Sequence, residues 1–451
     1  WWPCGGPNLG GSAMTDVRAF RGLRYSVDHV EVGLVTCPPY DVIAPEAQAA
    51  YHARDPRNVV RVELGTGSTD PRDTPNRYTD AAAALAKWEA EGVLVREESP
   101  AVYLHEHEFE FGGARRIRRG ILVAGRLHDW TEAVVRPHEH TRAGPKADRL
   151  ALLQATATNT SPLWLVYHDD DGAVAASLAD AWTRKPDVVA DADGEVHRLT
   201  VVTDVKTLGA VRAAFATRPT YIADGHHRYE TSARYRDDRR VRDRHGDPNA
   251  PYEYALWLLV DASDPGLIVR PYHRVINSTG ITLDEAIGAL HADADIRSLD
   301  PADGVTGALS ALDEGGGSGP ACILWAKGKV WLVAPHPGGA WKSRLPAGHS
   351  EAWLSLDVVA IDSLVIREAF GIVASAEESG ASREVTRLRY SPDASEAIRQ
   401  VEAGEADVAI LVRPVRVAEI CAVADAGDRM PPKSTYFHPK PVTGLVLNPL
   451  D

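Results

Sequence analysis

The stretch TYIADGHHRYETSARYR, residues 220–236, decides how the chain is read. Tyr221-Ile222-Ala223 has the apolar continuity of a buried strand ending, while Tyr229, Ala233 and Tyr235, with Arg234 and Arg236, suit a helix. Asp224-Gly225-His226-His227-Arg228 therefore occupies a strand-to-helix junction. The first N–H groups of a helix have no intrahelical partner and carry the positive end of the helix dipole, so such a junction can seat an anion. A polar cap explains Asp224 and Gly225 by themselves. It does not explain why two imidazoles and a guanidinium follow at once, and a phosphate seat does.

Outward from the junction, strands and helices alternate, which predicts an α/β fold of the mixed α+β kind. RNVVRVELG (57–65) alternates as a strand, and YTDAAAALAKWEAEGVLV is helical with Leu85 and Trp88 on its apolar face. A hairpin is expected about Gly112-Gly113, with Glu106, Glu108 and Glu110 facing Arg115, Arg116, Arg118 and Arg119 in cross-strand pairs. RPHEHTRAGPKADRLALLQATATNTSP reads as a polar loop with a shaped turn at Gly144-Pro145. YALWLLVDASDPGLIVRPYHRVI gives two strands about Asp264-Pro265-Gly266, ACILWAKGKVWLVAP a second hairpin, and WLSLDVVAIDSLVIREAFG a helix closed by Gly371. The tail reads strand (383–390), helix (394–403), strand (ADVAILVRP) and helix (415–426).

At 451 residues the chain is too long for one ordinary core. The expected divisions are a catalytic region over 14–275, an α/β middle domain over 276–380 and a βαβα region over 381–451. Residues 1–13 are read as foreign or as a mis-called start before Met14. A net charge of −14 argues against a general nucleic-acid or anionic-membrane partner. No apolar run is long enough to span a bilayer. The four cysteines form no CxxC pair, so a reducing cytoplasm is the expected home. The P-loop, dinucleotide, GxSxG and HExxH signatures are all missing from the sequence.

Three further segments are dense in chemistry. PHEHTRAGPKADR (137–149) offers His138, Glu139, His140, Arg142, Lys146, Asp148 and Arg149, groups that can hold or deprotonate a substrate. CPPYDVI (37–43) stiffens the chain with Pro38-Pro39 just ahead of Tyr40 and Asp41. MPPKSTYFHPK (430–440) repeats the paired prolines and carries Lys433, His438 and Lys440. An exposed mobile loop, a structural turn and an ordered surface tail are the respective plainer accounts of these segments. His105 and His107 share a strand face, a geometry that can bind metal but more often does not.

FRGLRY, CPPYDVI, RNVVRVELG, the 137–149 segment, IADGHHRYETS, DPGLIVRPYHRV and MPPKSTYFHPK together resemble the prokaryotic family called domain of unknown function 1015, over residues 17–447. More distantly, YIADGHHRYE is similar to the box of the ParB/sulfiredoxin-like fold, which seats a nucleotide triphosphate in the partition protein and recurs in free L-serine kinases. The kinase resemblance implies a ParB/sulfiredoxin-like core, a catalytic Asp224, and phosphate held at Gly225, His226, His227 and Arg228. It also implies a catalytic glutamate elsewhere, for which Glu139 is the candidate, with Asp41 behind it.

The expectation is phosphoryl transfer from ATP, ADP or pyrophosphate to a small hydroxylated, amino-acid-like acceptor such as L-serine. Mg²⁺ is expected on Asp224 or Asp41. Asp224 or Glu139 would take the acceptor's proton, His226 would assist, and Lys146 and Arg149 would neutralise phosphate or bind a carboxylate. Tyr40, Asp41, His138, His140 and Lys433 would contact substrate. The alternatives are a nucleotide-binding switch related to partition proteins, and a metal-dependent hydrolase built from His105, His107, His138 and His140.

Overall fold

The computed structural model describes residues 15–451 apart from 142, 244–245, 278–279, 316, 318 and 373–386. The reading of residues 1–13, Arg142 and the first part of the strand expected at 383–390 lie outside the described residues. The fold is mixed α/β, and the chain divides into two compact units. One comprises the residues up to Pro137, Thr141–Ile268 and Pro439–Asp451; the other comprises His138–His140 and Val269–His438.

The first unit is built on a nine-stranded mixed sheet. Its order runs Val135–Arg136, Thr220–Asp224, Leu163–Tyr167, Tyr254–Asp261, Ala114–Arg126, Val102–Phe111, Glu195–Val202 and Val188–Ala192, with Val17–Arg18 also on Ala114–Arg126. Thr220–Asp224 runs parallel to Val135–Arg136, and Tyr254–Asp261 parallel to Leu163–Tyr167; the other pairings are antiparallel. Every second residue faces one core: Val102 and Leu104, Ile121 and Val123, Leu163 and Leu165, Trp257 and Leu259, packed with Leu178, Val211, Phe215 and Tyr229. Along the expected hairpin, Glu106 pairs with Arg119 at 2.9 Å and Glu108 with Arg115 at 2.9 Å. Arg118 departs from that pattern and is buried.

The second unit carries a six-stranded antiparallel sheet in the order Ala294–Leu299, Lys329–Pro335, Cys322–Ala326, Val408–Val412, His273–Ile276 and Leu388–Ser391. Residues 276–380 and 381–451 thus contribute strands to one sheet. Its central strands are covered on both faces, which explains runs such as CILW and VAILV. Cys322, Leu324, Val408 and Ile410 face the helix Leu283–Leu290 and the segment 357–369. Ile323, Trp325, Ala409 and Leu411 face Leu312, Ile398 and Val401.

Three expectations are corrected. RNVVRVELG is not a strand, because Val60–Glu63 forms one helical turn. Asn58 decides this: its Oδ1 accepts from Val60 N at 2.9 Å while its Nδ2 donates to Leu34 O and Thr36 O at 2.7 and 2.9 Å. Local capping by an asparagine outcompetes the β preference of the valines. The supposed loop after Arg142 is the helix Ala143–Thr156. Pro145 falls in its first turn, where a missing N–H is harmless, and the Ala/Leu-rich stretch behind it propagates the helix. WLSLDVVAIDSLVIREAFG is broken into Glu351–Leu354, Asp357–Ala360 and a π-helix, Ile361–Ala369. No helix among the described residues is long and apolar enough to cross a membrane.

The junction itself depends on two backbone irregularities. The pairing of Thr220–Asp224 with Leu163–Tyr167 shifts between Ile222, opposite Leu165, and Asp224, opposite Trp164. Regular alternation would send Asp224 into the apolar core with Ile222; the bulge re-aims it to the Trp164 face. Gly225 then turns the chain at φ +95° into the helix His226–Arg242. A Cβ there would lie 3.1 Å from Leu163 Cδ2 and from Arg228 Nε. Gly225→Ala is expected to destabilise the protein by about 1–3 kcal/mol, read as a lowered urea midpoint with unchanged slope.

Candidate functional site

Asp224 ends a fully buried strand and is itself buried. A carboxylate in that position needs cations or many donors. Arg228, one turn into the helix, donates Nη2 to Asp224 Oδ2 at 2.6 Å. Lys440, from the C-terminal segment of the same unit, donates Nζ to Oδ1. Arg228 is further fixed by Nη1, which donates to Pro162 O at 2.6 Å and Ser161 Oγ at 3.1 Å. Its guanidinium is therefore turned inward to hold Asp224 rather than outward to a ligand.

Behind Arg228 the network continues into the core. Glu63 is almost fully buried and accepts from Thr160 Oγ1 at 2.5 Å and Ser161 Oγ at 3.2 Å. Arg149 Nη1 lies 3.5 Å from the Glu63 carboxylate and donates to its backbone O at 2.9 Å. Arg149 also forks onto Asp148 at 2.5 and 2.8 Å, and its guanidinium lies 4.1 Å from the centre of the Tyr40 ring. Glu63, Arg149, Asn159, Ser161, Arg228 and Ser232 line a cavity of about 40 Å³, enough for roughly one water. That space is too small to seat a substrate.

Tyr40 and Asp41 form a single 3₁₀ turn after Pro39. Burial is the main cause that pushes the Tyr40 phenol up to about 12, so it stays protonated at neutral pH. Asp41 is raised above the usual carboxylate range, first by desolvation and next by the charge of Asp224; Arg228 and Lys440 pull the other way and are outweighed. Asp41 nevertheless keeps contact with solvent. Burial would depress the Arg228 guanidinium, but the charges of Asp224 and Asp41 more than compensate and hold it above its usual value.

The remaining expected residues are distributed as follows. His226 is buried and His227 half-buried at the helix start. Lys146 Nζ lies 2.8 Å from Glu230 Oε2 and 3.1 Å from Thr141 Oγ1, beside the second turn of the junction helix. His138, Glu139, His140 and Lys433 belong to the second unit. There His138 Nε2 lies 3.1 Å from Thr435 Oγ1, which donates to Glu139 Oε1 at 3.4 Å, and Met430 N donates to His138 O at 2.7 Å. His140 is exposed. Lys433 lies over Tyr272, 4.9 Å from the ring centre. In the tail motif it is Lys440, not Lys433, that reaches Asp224. The signal for Lys440 was present in the sequence: it stands between Pro439 and Pro441, which restrict the chain on both sides. Glu63 was missed because its segment was read as a strand.

The expected four-histidine metal set does not form within either unit. His105 instead stacks with His197 in the first unit and His107 lies tilted against it, and the ligand atoms of His107, Glu195 and His197 lie within 4.8 Å of one another. This group does not suit a cation. Arg118 Nη2 donates to His107 Nδ1 at 3.0 Å, so the proton sits on Nε2 and points to Glu195 Oε2, 2.6 Å away. A metal at Nε2 would have to displace that proton beside a buried guanidinium.

Among families, the one described as a protein of unknown function (DUF1015) matches residues 17–359. No curated protein matches the chain. Several solved structures are similar. A free serine kinase in complex with AMP has 13% identity over 70% of this chain and 86% of that chain, with a TM-score of 0.33. A conserved hypothetical protein from Pyrococcus furiosus has 14% identity over 70% and 90%, with a TM-score of 0.30. SbnI with a C-terminal truncation from Staphylococcus aureus has 10% identity over 70% and 82%, with a TM-score of 0.34. Superpositions this loose leave the chemistry to be argued from the residues themselves.

The two carboxylates predict opposite stability effects. A carboxyl raised in the folded state contributes stability below its unfolded pKa and loses it as pH rises through the folded value. Asp41→Asn is therefore expected to raise the melting temperature near neutral pH, with the gain vanishing below about pH 4. Asp224→Asn strands Arg228 and Lys440 and is expected to destabilise by about 3 kcal/mol. Paired thermal melts across pH check both.

Proposed function

The chain belongs to the DUF1015 family of proteins of unknown function, and because that name carries no chemistry we propose a function from the site. It is phosphoryl transfer from ATP, ADP or pyrophosphate to the hydroxyl of a small acceptor, with free L-serine, giving O-phospho-L-serine, as the foremost candidate. The observation that carries this reading is the ion triad of Asp224, Arg228 and Lys440 at the strand-to-helix junction. Beside it, Asp41 is raised above the usual carboxylate range by desolvation and by the charge of Asp224, which suits a carboxyl to acid–base chemistry near neutral pH. The likeness of the 224–228 box to that of free L-serine kinases points the same way.

Phosphoryl transfer asks for positioning and charge neutralisation more than covalent help. The donor's phosphates sit on the N–H groups that open the helix after Gly225, with His226 and His227 beside them. Gly225 lets the backbone approach closely. Lys440 supplies the positive charge for the transferring group; Asp224 holds that lysine in place and is itself held by Arg228. The donor's P–O bond breaks as the new bond to the acceptor oxygen forms, and the hydroxyl proton passes to Asp41, whose raised pKa makes it the better base. Lys146 holds the acceptor's carboxylate, while Arg149 acts from behind by holding Tyr40.

As arranged, the residues do not fit a resident Mg²⁺. Both oxygens of Asp224 already receive nitrogen donors, and Asp41 is better suited to a proton. Mg²⁺ would arrive with the donor's phosphates, as part of the substrate.

Incubation of the protein with L-serine, Mg²⁺ and each donor in turn is expected to yield O-phosphoserine. Asp41→Asn should lower kcat by about 10²–10⁴-fold. Because that variant is expected to be the more stable one, lost activity cannot be blamed on unfolding. A full rate in Asp41→Asn removes Asp41 from the mechanism; no product with any donor from folded wild-type protein overturns the phosphotransferase reading.

A further inference from the structure

Arg118 is one of the largest fully buried side chains in the protein, yet it carries a charge. Placing a guanidinium there costs several kcal/mol unless hydrogen bonds and neighbouring charges offset it. Burial pulls it down to about 10, and only Asp264 and Glu195 act against that. Its donors are nevertheless used in a definite way. Nη1 donates to Pro439 O at 2.6 Å, and Nη2 donates to His107 Nδ1 at 3.0 Å. The guanidinium also lies 4.1 Å from the Trp164 ring centre, and Trp164 is the strand partner of Asp224.

Pro439 is the residue before Lys440 and the first residue of the C-terminal strap that returns to the first unit. The strap is laced down further along. Thr443 exchanges backbone bonds with Cys37, at 2.8 and 3.3 Å, and Leu447 with Leu23, both at 2.9 Å. At the start of the strap, the Arg118–Pro439 bond holds the carbonyl immediately ahead of Lys440. Arg118 can only donate, so His107 Nδ1 must accept and His107 Nε2 must carry the proton to Glu195. Glu195, His107 and Arg118 thus form a directional chain that ends on the carbonyl ahead of the site lysine.

We infer that Arg118 is a positioning residue for Lys440, oriented by the Glu195–His107 pair, and that this buried chain sets the lysine on Asp224. The inference rests on the phosphotransferase reading for its catalytic consequence, but not for its structural one. Lysine cannot replace Arg118, because one ammonium lacks the planar fork that reaches Pro439 and His107 together.

Hydrogen exchange at the amides of Thr443 and Leu447 tests the anchor without any assay of activity. In Arg118→Met and in the milder Glu195→Gln, both amides should exchange faster than in wild type, by about tenfold and about threefold, while strands of the second unit keep their rates. Arg118→Lys should behave like Arg118→Met. If Arg118→Met does not fold, Glu195→Gln decides alone. Exchange at Thr443 and Leu447 within about twofold of wild type in every folded variant overturns the inference. Where wild type transfers phosphate, Arg118→Lys should lower kcat about tenfold with KM for the donor changed less than threefold, the split expected for a misplaced charge rather than lost binding; an unchanged kcat also overturns it. Absence of phosphate transfer in wild type removes the proposed function and leaves the exchange result standing on its own.

Discussion

A carboxylate that closes a buried strand has few ways to stay ionised, and the first unit is arranged around how Asp224 manages it. One cation, Arg228, comes from the next turn of chain. The other, Lys440, comes from 216 residues away. Removing either would leave one oxygen of a buried carboxylate without its charged donor, and a buried polar atom that has lost its partner is costly. The ion triad therefore does more than fill space. It makes the local junction dependent on the return of the C-terminal segment, and it links the strand, the helix and the strap in a single electrostatic unit.

The same strap touches the other carboxylate. Thr443 pairs with Cys37, and Cys37 leads through Pro38-Pro39 into Tyr40 and Asp41. Two prolines leave little slack between the pairing and the 3₁₀ turn. From the opposite side Arg149 stacks on Tyr40 and is itself held by Asp148 and Glu63. Asp41 and Asp224 are thus placed by separate elements that share one fastening. The matched family region ends at residue 359, so Lys440 and the strap lie beyond it.

The sequence disclosed the junction because its ingredients are contiguous: an apolar run, a glycine and a helical pattern. It also disclosed the mixed α/β class and the central strands Cys322–Ala326 and Val408–Val412 of the second unit, whose unbroken apolar runs match burial on both faces. It could not disclose the bulge between Ile222 and Asp224, since register belongs to a pair of strands and only one of them is in view. A reader applying strict alternation would bury Asp224 in the apolar core. The 57–65 segment misled for a related reason: its valines alternate, but Asn58 finds carbonyls at Leu34 and Thr36 that only the folded chain supplies. Lys433 and Lys440 sit in one motif and look equivalent until the chain path puts Lys433 on Tyr272 and Lys440 on Asp224.

What separates a working carboxylate from a structural one in this site is how completely its charge is answered. Glu63 is answered by two hydroxyls and Arg149. Asp148, despite burial that would raise it, is held below its usual range by Arg149, Tyr78 and Arg77. Asp224 has a cation on each oxygen. In each case the partners are donors or cations that favour the charged carboxylate. Asp41 is the exception: it keeps contact with solvent, and desolvation together with the charge of Asp224 outweighs the two cations. A carboxylate whose ionised form is the least supported member of its group is the one that gains by taking a proton, and for that reason we propose Asp41 as the base although the junction motif draws the eye to Asp224.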